Sequence, residues 1–415
     1  MKQIYKEITH CRVCGSEELL PMLSLGNQYI INFPDGDDPA DGIKAPLDMV
    51  LCGNSICSLA QLKHTVDPDL LYRQFWYKSG INQTMRDALS DITRAVRERV
   101  ALGNGDIVVD IGSNDGTLLR SYGIEGLFTV GFEPAINLME EARKDTSLII
   151  NDYFNKKSFE QNLPDRKAKA VTSIAMFYDL EDPNLFVQDI KNVLASDGVW
   201  INQMNYLETM LKQNAFDNIS HEHLEYYSLS SLEYLLSLHG MEVFDVELNN
   251  LNGGSIRAYT AHVGAYPIHE RVKQLRASEG HLRTLAPYQA FVARVEEIKG
   301  KICEFINTER KKGKSIYAYG ASTRGNTLLQ YFGLNDIVIT AAAERNPLKW
   351  GKRMVGTNIP IISEDEARKA KPDYFLVLPW AFIKEFTSRE KSFLQSGGCF
   401  IVPLSEFRVI TNSDK

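Results

Sequence analysis

Long apolar runs are missing from this 415-residue chain. None approaches the ~18 consecutive apolar residues of a membrane-spanning helix, and the opening MKQIYKEITHCRV lacks the apolar core of a secretory signal. A cytoplasmic protein without a membrane partner is expected. Positive charge is scarce too, with 46 Lys and Arg against 53 Asp and Glu and a formal net charge of −7. No segment supplies the basic face that nucleic-acid binding requires, so that partner is excluded. Two signatures are also absent: G-x-G-x-x-G, whose lack disfavours a nicotinamide-dependent oxidoreductase, and H-E-x-x-H, whose lack disfavours a catalytic metal. Cysteine is limited to six residues.

Four of those six are Cys11, Cys14, Cys52 and Cys57. Two closely spaced pairs suit a tetrahedral zinc ion, which supplies on the order of 10–16 kcal/mol of apparent folding energy to a segment too small to fold on its own core. The second pair is wider than a usual knuckle, which leaves a three-ligand site with His10 or His64 as the alternative. A closed four-sulfur site is structural, with no open position for substrate.

The length calls for two or three domains, and the composition, 44% hydrophobic and 24% charged, is that of a globular protein. We place boundaries at 1–68, 69–265 and 266–415. The second segment opens with helical periodicity (Leu70, Leu71, Phe75; then Met85, Leu89, Ile92, Val96 and Val100) and then reaches IVVDIGSNDGTLL, residues 107–119. A buried strand ending in Asp110, a turn with Gly112 and Gly116, and a helix start form the first unit of a nucleotide-binding sheet. Asn114 stands where a dinucleotide fingerprint has its second glycine. The next strand, expected over 127–132, ends in Glu133, where a carboxylate can accept from both ribose hydroxyls. Asp152 follows a third strand and is within reach of an adenine amino group. Together these features resemble the cofactor site of class I S-adenosylmethionine-dependent methyltransferases.

Further along, His221, Glu222 and His223 form H-E-H, which suits a general acid/base pair. Residues 267–312 read as a helical connector whose seam of Phe291, Val295, Ile298, Ile302 and Phe305 packs on a core; it permits a monomer or a homodimer. A strand expected over 315–318 then leads into GASTRGNT, whose glycine turn and helix start suit a diphosphate with Arg324 adding charge. Asn326 occupies the place of a P-loop lysine, which disfavours ATP hydrolysis. A strand expected over 337–341 ends near Glu344, giving a second Rossmann-like domain. The fold class is therefore α/β: a small zinc-binding domain, a methyltransferase core and a C-terminal Rossmann-like domain.

In order, CRVCG, YKSGIN, DIGSNDG, HEH, GGSIR and GASTRGNTLL resemble the three-part sugar C-methyltransferases that act on nucleotide-linked 4-keto-deoxysugars. The resemblance spans nearly the whole chain. It implies S-adenosylmethionine as methyl donor, a structural Zn²⁺, and a nucleotide-diphosphate 4-keto-sugar methylated at carbon 3 through an enolate. It further implies His223 as base with Glu222 beside it, Tyr77 lining the substrate site, cofactor contacts from Asp110, Gly112, Asn114, Gly116, Glu133 and Asp152, and substrate contacts from His221, Asp179, Arg324, Asn326 and Glu344. Ser220 and Asp179 depart from the family's usual Tyr and His. A scaffold that binds cofactor without turnover is the rival from another class.

Overall fold

The structure, a computed structural model, describes residues 4–30, 42–72, 78–81 and 83–413. Tyr77 lies outside the described residues.

The middle of the chain winds a seven-stranded sheet. Ile107–Ile111, Phe128–Phe132 and Leu148–Ile150 run in parallel to one side, and Ala168–Ile174 and Leu194–Asn205 in parallel to the other. Ser255–His262 and Met241–Asn249 close that side as an antiparallel hairpin. The central strand IVVDI is buried at every position, as a strand covered on both faces must be. Its covers include helix Gln83–Arg99, whose Leu89, Ile92, Ala95 and Val96 are buried. Winding direction reverses between Ile107–Ile111 and Ala168–Ile174, which opens a crevice at their carboxyl ends.

The C-terminal sheet repeats this winding with six strands. Ile316–Tyr319, Ala342–Glu344 and Ile361–Ser363 go one way, Tyr374–Val377 and Cys399–Val402 the other, and Arg408–Ile410 pairs antiparallel at the edge. The strand expected over 337–341 starts later, at Ala342. Asn335 explains the delay: its side chain accepts from the Ile337 N–H, and its carbonyl from the N–H groups of Val338 and Ile339, closing a turn. Helix Ala286–Lys311 buries Phe291, Val295, Ile298 and Ile302 in one core with this sheet.

The N-terminal sheet comprises Leu19–Tyr29, Lys44–Cys52 and Ala60–Leu62, and its remaining edge strand is Glu225–Tyr226. That edge strand comes from beyond the boundary expected at residue 68. Cys11, Val13, Cys52 and Cys57 share a core with the middle sheet. Among the described residues no helix is long and apolar enough to cross a membrane.

Candidate active site

One cavity of about 1720 Å³ touches all three parts of the chain. On its middle-domain wall the turn after Ile111 is shaped by left-handed residues, Gly112 at φ 70° and Asn114 at φ 51°. The Gly112 N–H donates to the Phe132 carbonyl at 2.9 Å. Glu133 then folds over the turn, one carboxylate oxygen accepting from the Asn114 N–H and the other from the Ala135 N–H, each at 2.8 Å. Both oxygens keep acceptor capacity, and Glu133 lines the cavity.

Asn114, which marked the departure from a glycine fingerprint, has a use of its own: its side-chain oxygen accepts from the Ser79 N–H at 2.9 Å, and Asp115 accepts from the Gly80 N–H at 2.8 Å. The two side chains tie the S-G tract to the cofactor turn. Asp110 is buried, which pushes its pKa up to about 7, and it accepts from the Thr172 hydroxyl at 2.6 Å. Asp152 lines the cavity one strand further on. Gly116, at φ 78°, is the N-cap of the following helix. A positive-φ glycine beside an aimed carboxylate fits a nucleoside lying against the backbone.

The four thiols converge. Cys11 and Cys57 sulfurs are 3.8 Å apart and those of Cys14 and Cys52 3.4 Å, with all four within 4.8 Å of one another. A tetrahedron with Zn–S of about 2.3 Å has edges of about 3.8 Å, so the cluster fits zinc. His10 is engaged with Thr9 and Glu17, and His64 faces Glu7 and Asp48. All four ligands are therefore cysteines. Between the first two, Arg12 turns inward, its Nε lying 3.6 Å from the Glu225 carboxylate, with both side chains almost fully buried.

Glu225 follows the H-E-H motif by two residues, and the motif is anchored on both sides. His221 is buried and its Nε2–H donates to the Ala45 carbonyl of the N-terminal sheet at 3.0 Å; burial lowers its pKa to about 4. The Nδ1–H of His223 donates to the Asn218 carbonyl at 2.6 Å, leaving the lone pair on Nε2. It is this carbonyl that fixes the ring. Burial lowers the His223 pKa to about 4, with the charge of Arg324 adding to the effect. The Tyr178 ring meets it edge-on at 4.6 Å. Glu222 is raised to about 7 by burial. Asp179 is raised well above its ordinary value by burial and then by the charge of Glu222. Burial thus favours the neutral form of both carboxyls. The Tyr72 hydroxyl donates to the Glu222 carbonyl at 3.0 Å and also reaches the Asp179 carboxyl. Among the described residues the hydroxyl of buried Ser220 has no partner.

The C-terminal wall begins at Ser322, which caps helix Thr323–Phe332 by accepting from the Gly325 N–H. Arg324 reaches across to the middle domain, its Nε donating to the Asp217 carboxylate at 3.0 Å, where the Trp380 indole N–H also donates at 3.0 Å. Asn326, expected at the substrate, lies off the cavity wall. One turn into the helix its side chain faces the core, fully buried, and donates to the Val355 carbonyl. Glu344 does line the cavity. Its carboxylate accepts from the Ala321 N–H on one oxygen and the Asn346 N–H on the other, each at 2.8 Å. The Gly320 N–H, at φ 85°, donates to the Ala343 carbonyl at 2.7 Å.

Tyr72, Tyr178, Asp217 and Asn218 were missed in the sequence. The only local signal was the F-D-N tripeptide shortly before H-E-H.

Three family models match in the order of the chain: one described as a zinc binding domain over residues 11–72, a methyltransferase domain over 81–246, and a C-methyltransferase C-terminal domain over 250–405. The C-methyltransferase NovU of Streptomyces niveus is 33% identical over 417 residues, covering 99% of each chain. The chain belongs to the C-methyltransferase family. It is an S-adenosylmethionine-dependent methyltransferase of the class I fold, and its four-cysteine cluster is a zinc site. Among solved structures, the plantazolicin methyltransferase BpumL with S-adenosylhomocysteine is 11% identical, covering 43% of this chain and 83% of its own, at a TM-score of 0.35. The magnesium protoporphyrin IX methyltransferase of Synechocystis PCC 6803 with bound S-adenosylmethionine is 8% identical, covering 46% of this chain and 88% of its own, at 0.34. At these scores neither bears on substrate or mechanism.

Proposed function

We propose that this C-methyltransferase acts on carbon 3 of a nucleotide-linked 4-keto-deoxysugar, with His223 as the base. The observation that carries the reading is the imidazole tied at Nδ1 to Asn218, its Nε2 lone pair available in the cavity that also holds the Glu133 cradle. Asp110, Gly112, Asn114, Glu133 and Asp152 hold the cofactor, whereas Gly116, also expected there, lies off the cavity wall with its side-chain position against Ala142 and Arg120. His221, Asp179, Arg324 and Glu344 belong to the substrate side. S-adenosylmethionine, when bound, supplies an electrophilic methyl group on a sulfonium. His223 Nε2 takes the proton from carbon 3, and the C–H electron pair spreads onto the neighbouring ketone oxygen. With the cofactor bound, that pair would form the carbon–methyl bond as the methyl–sulfur bond breaks and its electrons stay on sulfur, leaving S-adenosylhomocysteine, and the imidazolium returns its proton to solvent.

A base held near pKa 4 is unprotonated at pH 7. It is also weak, so proton removal depends on stabilising the enolate oxygen. Arg324, whose charge is felt at His223, supports that requirement. Neutral Glu222 or Asp179 can donate a hydrogen bond to the sugar, which an ionised carboxylate cannot. The test is incubation with S-adenosylmethionine and nucleotide-linked 4-keto-6-deoxyhexoses, following S-adenosylhomocysteine and locating the methyl group by NMR. A methyl group on any other carbon, or on oxygen, would refute the assignment to carbon 3.

A further inference from the structure

The G-G-S-I-R motif ends in an arginine, Arg257, that is buried behind the cavity wall. Gly254, at φ 114°, precedes its strand, and the Gly254 carbonyl accepts from the Tyr206 N–H, which sets Arg257 directly opposite Gln203 in the antiparallel pair. Asp91 of helix Gln83–Arg99 accepts from the Arg257 guanidinium at 2.8 Å, and the Arg257 Nε–H donates to the Gln203 side-chain oxygen, also at 2.8 Å. The Asn249 amide donates to that same oxygen at 3.1 Å, and its orientation is set in turn because its own oxygen accepts from the Leu251 N–H. Two donors thus face one side of the Gln203 amide, so the amide cannot flip and its NH₂ group points away from both. Among the described residues nothing accepts from that nitrogen, and Gln203 lines the cavity.

The neighbours of this amide define its place. The Ala175 N–H donates to the Gln203 carbonyl at 2.8 Å, and Met176, next along, packs 3.3 Å from where a Cβ on Gly112 would lie. Two residues on from Gln203, and on the same face of the strand, the Asn205 amide donates to the Asn218 side chain, and the Asn218 carbonyl holds His223. Gln203 therefore stands between the Gly112 turn and the residues that fix the imidazole. A carbon that gives its proton to His223 and receives a methyl group from the cofactor side must lie in this interval, with its ketone oxygen beside it. A neutral donor of fixed direction stabilises the charge that gathers on that oxygen as the proton leaves, and needs no rearrangement when it does. We propose that the Gln203 NH₂ group donates to the enolate oxygen, with Arg257 as the positioning residue that keeps the amide turned toward it. This rests on the reading above, in which His223 is the base and a ketone adjoins the methylated carbon.

The test uses the full-length zinc-loaded protein and nucleotide-linked 4-keto-6-deoxyhexoses. Turnover is measured with S-adenosylmethionine, and solvent deuterium exchange beside the ketone is followed by NMR with S-adenosylhomocysteine at saturation. Gln203→Glu keeps an oxygen for Arg257 and Asn249 but replaces the donor with an acceptor, and Gln203→Met removes both without adding charge. Exchange and kcat should each fall about a hundredfold or more in both variants, while S-adenosylhomocysteine affinity stays within about twofold and so reports an intact fold. Arg257→Met, which releases the amide, should lower kcat about tenfold or more with KM nearly unchanged, and Arg257→Lys should recover part of the loss. Exchange within about threefold of wild type in either Gln203 variant overturns the assignment. So does a loss confined to cofactor affinity, which would give the amide to the methyl donor. Both outcomes leave the enolate reading standing, whereas failure of the wild type to methylate any such sugar overturns both.

Discussion

The imidazole of His223 and the carbonyl of Asn218 are joined by a 2.6 Å hydrogen bond, and that bond decides which ring nitrogen can act as a base. We predict that His223→Asn lowers turnover by about a hundredfold or more while S-adenosylhomocysteine affinity, measured by calorimetry, stays nearly unchanged. Deuterium exchange at carbon 3, run with S-adenosylhomocysteine in place of the methyl donor, isolates proton removal. Exchange at the wild-type rate in the variant would move the base elsewhere.

Glu133 is expected to govern cofactor affinity. Glu133→Ala removes the acceptors of two backbone N–H groups as well as those of the ribose, and each unsatisfied buried group costs roughly 1–3 kcal/mol. S-adenosylmethionine should bind about tenfold or more weakly. Glu133→Gln, which keeps one carbonyl acceptor, should lose less; an equal loss would point to charge and not to hydrogen bonding.

His221 should make stability depend on pH. Its folded pKa is lowered to about 4 by burial, below the ordinary value near 6.5, so the unfolded chain binds more protons between those values and stability rises with pH there. The contribution is complete above about pH 6.5 and is lost as pH falls toward 4. Urea unfolding of wild type and His221→Gln should show the wild type losing ground over that window, by on the order of 1–3 kcal/mol. Parallel pH profiles for the two proteins would refute it.

Much of this could be read from local pattern, and the failures have a common cause. Cys11, Cys14, Cys52 and Cys57, and the strand–turn–acid units around Gly112 and Glu133, are legible because spacing along the chain sets their geometry. The Arg324–Asp217 contact joins residues 107 positions apart, and nothing in either neighbourhood announces it. Asn326 was misplaced because a loop spacing does not say which face of the ensuing helix a side chain takes. The run at 337–341 has strand-forming residues, yet Asn335 offers its backbone an alternative set of bonds.

Zinc removal is predicted to act on chemistry as well as on folding. Cys14→Ser should lose the metal by elemental analysis and reduce stability. Because Arg12, between the ligands, faces Glu225 just after H-E-H, turnover should fall further than cofactor binding. Protein purified without zinc yet fully active would contradict this.

The edge strand Glu225–Tyr226, paired with Ala60–Leu62, bears on how such an enzyme can be altered by recombination. A chimera that grafts the N-terminal segment of one relative onto the methyltransferase core of another cuts a sheet in two and rebuilds it from mismatched halves. Compatible grafts must therefore carry residues 60–62 and 225–226 from the same parent, so the unit of inheritance is the sheet and not the contiguous stretch of chain.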